Sequence, residues 1–179
     1  MHTLLKTSVR FPLFAAAVAI ALPCFAQVSN PPRAVVSIDA APCTTSPAAP
    51  GFVALSVATK ASFPSTPTSL FGGVAQRLSF DDIGVTRAVD DCSVALYSLL
   101  FRDQHIKLVT ISFQNFVNGA YKDMLIMSLR EALITSIADT ESINLAPAER
   151  ISFSFASITI FDPVTGKSSS FDQQTLKGT

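Results

Sequence analysis

Histidines, cysteines and clustered carboxylates carry most side-chain chemistry, and this sequence holds few of them. Past residue 26 it has one histidine, His105, and two cysteines, Cys43 and Cys92. Asp81-Asp82 and Asp90-Asp91 are adjacent carboxylate pairs of the kind that could do acid–base work or hold Ca²⁺. A hydrolase or transferase needs a nucleophile, a base and a group that orients the base, and no motif spacing supplies them around His105. His105 reads as a partly exposed residue at a strand start, and the Asp pairs read as a chain kink and a helix cap. The sequence contains no phosphate-binding glycine loop, no Gly-x-Ser-x-Gly and no His-Glu-x-x-His. The expectation is a non-enzyme with no catalytic, cofactor-binding or metal-binding residues. A hydrolase built from residues distant in sequence, with His105 as base, is the weakest alternative.

The two remaining cysteines acquire meaning from the start of the chain. Lys6 and Arg10 form a basic segment, Pro12 to Leu22 is an uncharged, Ala-rich apolar run, and Pro23-Cys24-Phe25-Ala26 supplies small residues at a cleavage site. This is the layout of a secretory signal peptide, with cleavage after Ala26. The eleven residues of the apolar run are too few, at about 1.5 Å each, to cross a hydrocarbon core of about 30 Å. A lipoprotein anchored at Cys24 is a weaker reading, because Pro23 and Ala21 suit that processing site poorly. In an exported chain, an even pair points to one disulfide, Cys43–Cys92. Two separate buried thiols are the alternative, and zinc is a poor third, since two Cys and one His fall short of a closed site. Removing residues 1–26 leaves 11 basic against 13 acidic groups, a net charge of −2. That balance argues against nucleic acid or an anionic membrane as partner, and no later segment is long and apolar enough to span a bilayer.

The elements that would position these residues are mostly strands. With 179 residues, 49% of them hydrophobic and 15% charged, the chain can bury one proper core. Ala34–Asp39 is a short strand, and Phe52–Lys60 alternates like another. Ala40–Gly51 and Ala61–Gly73, rich in proline, must be loops. Leu78, Phe80 and Val85 mark a strand that kinks near Asp81-Asp82 or Gly84. Asp90-Asp91 starts a helix over Cys92–Arg102, with Val94, Tyr97 and Phe101 at helical spacing. Ile106–Phe116 is a strand, and Asn118-Gly119 turns it into a hairpin. Lys122–Asp139 is ambiguous between helix and strand. The hairpin signal and the odd-numbered stripe from Tyr121 through Leu129 to Ile137 favour strand. Glu149–Asp162 is the clearest strand, with a slip in phase near Ile158 that calls for a bulge or burial on both faces. Asp162–Gly166 is a turn, and the polar tail from Ser168 could add one edge strand.

The residues themselves now carry a resemblance. Leu78-Ser79-Phe80-Asp81-Asp82-Ile83-Gly84-Val85-Thr86-Arg87-Ala88-Val89-Asp90 leads into the helix. Val109-Thr110-Ile111-Ser112-Phe113 opens the hairpin, and Leu129 to Ile137 closes it. Glu149-Arg150-Ile151-Ser152-Phe153-Ser154-Phe155-Ala156-Ser157-Ile158 follows. In this order and spacing the chain resembles the haemolysin-coregulated protein family, Hcp, the tube subunit of bacterial type VI secretion systems, over roughly Ala34 to Asp172. The resemblance implies a mainly-β fold: a small two-sheeted antiparallel β-barrel with one short α-helix on its side. It also implies self-association as hexameric rings that stack and carry effectors, and no catalytic residues; the expected further partner is a secreted effector or an envelope protein. Members of the family normally lack a signal peptide, and here the sequence departs from the pattern. The expected organisation is a signal peptide over 1–26, a lead-in over 27–33 and the barrel over 34–179, placed in the periplasm or outside the cell. The alternative is a monomeric periplasmic or extracellular binding module on the same barrel, holding its ligand with the Pro-rich loops.

Overall fold

The computed structural model describes residues 30–41, 43, 51–62, 79–140, 147–173 and 177–178. The leader expected over 1–26 and most of the two Pro-rich loops lie outside them. The elements run β1 (Arg33–Ile38), β2 (Phe52–Ala54), β3 (Ser56–Ala58), β4 (Ala61–Ser62), β5 (Ser79–Phe80), β6 (Ile83–Ala88), α1 (Cys92–Phe101), β7 (Ile106–Val117), β8 (Ala120–Thr140), β9 (Ala148–Ser154), β10 (Ser157–Asp162), β11 (Lys167–Asp172) and β12 (Lys177–Gly178). The fold is mainly β with one short helix, as expected.

Period-two alternation sends one side chain in two to the core. Val36 and Ile38 from β1, Ile83 and Val85 from β6, Val109 and Ile111 from β7, and Ile151 and Phe153 from β9 are all buried. All the strand pairings are antiparallel. One sheet follows the order β12-β11-β10-β8-β7-β1-β2, and the other follows β3-β6-β9-β8. β8 belongs to both: Ile126 to Arg130 pair with β10, and Leu133 to Thr140 pair with β9. At the opposite side β2 passes into β3 across the single residue Leu55, whose N–H donates to the Thr86 carbonyl of β6 at 2.7 Å. The pairing path therefore returns on itself, from β1 through β7, β8, β9 and β6 to β3 and β2.

The Asn-Gly hairpin forms as expected. Asn118 and Gly119 take φ values of 54° and 82°, the left-handed pair that a tight two-residue turn requires. The ambiguous segment is a strand throughout, but its stripe is not continuous. Met127 and Leu129 are buried on the odd phase, and Ala132 and Ile134 on the even phase. Glu131, at φ 48°, is the residue that flips the phase, and a second irregularity between Ile134 and Ser136 returns Ile137 to the inner side. Glu149–Asp162 is corrected in the same way. It is two strands, one in each sheet, separated by Phe155-Ala156, and the Ala156 N–H donates to the Arg130 carbonyl beside the Glu131 kink. The slip in phase near Ile158 is thus the point where the chain turns the corner between sheets.

Smaller corrections follow the same logic. The strand expected over Phe52–Lys60 is broken at Leu55, and the loop expected over Ala61–Gly73 opens with a two-residue strand paired to Ser79–Phe80. The chain kinks at Asp81-Asp82, while Gly84 lies inside β6. The tail supplies two strands instead of one, with β12 at the edge.

Gly51 is a glycine whose lack of a side chain the β1–β2 connection requires. Its φ is 120°, and a Cβ there would run into the backbone carbonyl of Val36. Gly51→Ala is expected to cost about 1–3 kcal/mol, read as a lower urea midpoint with an unchanged slope. An unchanged midpoint would show that the β1–β2 connection adjusts freely.

Candidate functional site

On β6 the inward phase runs Ile83, Val85, Arg87, and on β9 it runs Glu149, Ile151, Phe153. Arg87 and Glu149 are directly opposite in register, so a charge pair occupies two core positions. Their side chains are 1% and 0% exposed, and Arg87 Nη1 donates to Glu149 Oε1 at 2.6 Å. The Ser93 hydroxyl, from the first turn of α1, donates to the same carboxylate oxygen at 2.9 Å. Arg87 also lies over the Phe52 ring, 4.5 Å from its centroid, and its Nη2 pairs with Asp90. Glu149 Oε2 and Arg87 Nε are buried without a hydrogen-bond partner among the described residues. The cluster joins β2, β6, β9 and α1; its one hydroxyl, Ser93, is buried and donates to Glu149 Oε1, so the geometry suits bracing.

Asp90 connects this cluster to the helix. The cap comes from Asp90, whose carboxylate accepts from Cys92 N–H at 2.8 Å, and not from Asp91, which makes no side-chain cap. Desolvation alone would raise the pKa of Asp90. The Arg87 hydrogen bond, the Cys92 N–H and the Arg87 charge outweigh it and hold the carboxyl below its ordinary 3.8. A depressed folded-state pKa stabilises the protein above the unfolded value, and the contribution is lost as pH falls through the folded one. Asp90→Asn should therefore flatten the acid side of the stability curve below about pH 3.8. Parallel acid slopes for the two proteins, followed by thermal melts, would contradict this.

The other sequence candidates scatter. His105 is exposed, and its Nδ1 lies 4.0 Å from Glu131 Oε2. Asp81 pairs with Lys60 at 3.1 Å, whereas Asp82 accepts from the Thr135 hydroxyl, so this acidic pair divides between two partners. Among the described residues no group of three or more His, Cys, Asp or Glu could hold a metal ion, and no helix is long and apolar enough to cross a membrane. Cys43 and Cys92 are joined, with Cα atoms 5.1 Å apart, which ties the β1–β2 connection to the first residue of α1. Arg87, Glu149 and Ser93 were missed by motif reading. The available signal was a charge at the inward phase of two otherwise apolar strands.

The outer surface is where the molecule has most to offer. On the outward phase of the larger sheet, register aligns Ser37, Thr110, Ser128, Thr159 and Ser170 in one row across five strands. The next row holds Val53, Val35, Ser112, Ile126, Phe161 and Ser168. Neither row carries a charge. An open cleft of about 250 Å³ lies between Arg33, Ala54, Leu55, Phe113 and Met124. At its rim the Arg33 guanidinium stacks 3.6 Å from the Tyr121 ring centroid and donates to Gln114 at 2.8 Å.

The helix presents a second apolar surface. Ser93, Leu96 and Leu99 are the buried residues of α1, and the stripe expected from sequence spacing, Val94-Tyr97-Phe101, faces outward. The helix offers two apolar stripes, and the contact of Ser93 with Glu149 selects the one that turns inward.

The fold has close counterparts. Hcp1 from Salmonella typhimurium superposes with a TM-score of 0.67 at 14% identity, covering 83% of this chain and 99% of that one. Hcp3 of Pseudomonas aeruginosa, described as a secreted protein, gives 0.58 at 16%, covering 79% and 99%. Hcp1 from Flavobacterium johnsoniae gives 0.55 at 12%, with the same coverage of 79% and 99%. No curated protein sequence matches the chain. At these identities the structures establish the fold. The family rests on a sequence model, that of the type VI secretion system effector Hcp, which matches residues 53–161, well over half of the chain. The chain belongs to the Hcp family of type VI secretion system effectors.

Proposed function

We propose that the chain is an exported structural subunit that self-associates, with hexameric rings as its closed form, and that it serves type VI secretion without catalysis. The observation that carries this reading is membership of the Hcp family over residues 53–161. The two uncharged rows on the outer face of the larger sheet support it, because depletion of charge marks the centre of protein–protein contacts. In this reading residues 1–26 are cleaved as a leader, 27–33 lead in, and 34–179 form the associating barrel in the periplasm or outside the cell. The Cys43–Cys92 bond fits such an oxidising space. A secreted effector or an envelope protein is the further partner.

Size-exclusion chromatography with light scattering on the mature protein tests the reading. A ring-sized mass that persists on dilution is expected, and a strict monomer at every concentration would overturn it. The cleft beside Arg33 and Met124 favours a second reading, a monomeric binding module. That reading predicts the monomer, together with ligand capture that Met124→Lys abolishes.

A further inference from the structure

We propose that the outward stripe of α1 is a docking surface for α1 of a second copy, the two helices packing antiparallel about a two-fold axis. Val94 and Phe101 are 73% and 80% exposed, and Val89, in the segment leading into the helix, is 45% exposed. Tyr97 lies between them, its ring 5.8 Å from that of Phe101 and its hydroxyl donating to Asp139 at the flank of the stripe at 3.2 Å. Water contact with such a stripe is unfavourable, and a contiguous exposed apolar patch marks a contact site.

Charge selects the occupant and its direction. Exposed Asp91 stands at the N-terminal end of the stripe and exposed Arg102 at the C-terminal end. Antiparallel pairing brings each Asp91 toward the Arg102 of the other copy and sets the two helix dipoles in opposition. Parallel pairing would bring like charges together. The same arrangement seats the smaller Val94 against the larger Phe101, with Tyr97 and Ser98 at the axis. The helix is already held by Cys92 and by the Ser93 contact with Glu149, so little ordering remains to be done on docking.

The contact is small. Ten helical residues cover less than the roughly 800 Å² per partner of a standard interface. Single chains therefore pair weakly, and chains already joined by other contacts pair more tightly. An isologous contact closes at two copies, whereas a ring needs a heterologous one, so either association can fail without the other.

Ser98→Cys with a mild copper oxidant is the test, read on non-reducing gels, with Thr165→Cys as the remote exposed control. A covalent dimer should form several-fold faster at position 98. Phe101→Glu in the Ser98→Cys background should abolish it. Asp91→Lys should slow it, and adding Arg102→Glu to Asp91→Lys should restore it. Equal rates at 98 and 165, or a rate indifferent to Phe101→Glu, would overturn the proposal. The ring-sized mass in light scattering is scored separately, in the parent protein.

Discussion

Arg87→Met is expected to lower stability by about 3–5 kcal/mol, the cost of leaving one member of a buried ion pair without its partner. The substitution keeps the unbranched stem over Phe52 and removes the guanidinium. Glu149, 0% exposed, is then left with the Ser93 hydroxyl as its hydrogen-bond donor. The double variant Arg87→Met/Glu149→Leu should recover most of the loss, because apolar residues of similar volume can replace a buried pair at little net cost. Urea denaturation of the single and double variants, assembled as a thermodynamic cycle, gives the coupling directly. A single variant costing less than about 1 kcal/mol would place the pair among surface-like bridges. Ser93→Ala should add a smaller loss and loosen α1 specifically, visible as faster amide exchange over Leu96–Leu99.

Removing both cysteines is expected to have an effect of similar size. The Cys43–Cys92 bond spans 49 residues, and closing a loop of that length in the unfolded chain corresponds to about 4 kcal/mol. Cys43→Ser/Cys92→Ser should melt well below the oxidised parent, and a strong reductant should bring the parent down to the level of the variant. Intact mass under non-reducing conditions establishes the bond first. A parent that is oxidised yet indifferent to reductant would mean that the β1–β2 connection is held without it.

The path from sequence to fold was open where signals are local. Asn118-Gly119 announced its turn because two adjacent positive φ values suit few other pairs. Alternation at Ile151, Phe153 and Phe155 announced a strand with one face inside. The main readings that needed correction concern corners. Glu131, Leu55 and Phe155-Ala156 are where the chain leaves one sheet for the other, and each breaks the period that would have revealed it. The stripe reads as unbroken from Tyr121 to Ile137, because a phase flip at one residue leaves apolar residues available on both faces of β8. The helix was legible in position but not in rotation. Its rotation is fixed by Ser93 meeting Glu149, a contact across 56 positions that no local pattern encodes. The buried pair was overlooked for a related reason. Arg87 and Glu149 each look like an ordinary strand charge until the register places one opposite the other.

β8 runs for 21 residues and hydrogen-bonds to β7 and β10 along one part and to β9 along another. A strand shared in this way makes the two sheets one hydrogen-bonded path among the described residues. Tension applied to either half is carried to the other through that continuous backbone, so the amides of β8 on the two sides of Glu131 are expected to share one opening free energy in native-state hydrogen exchange.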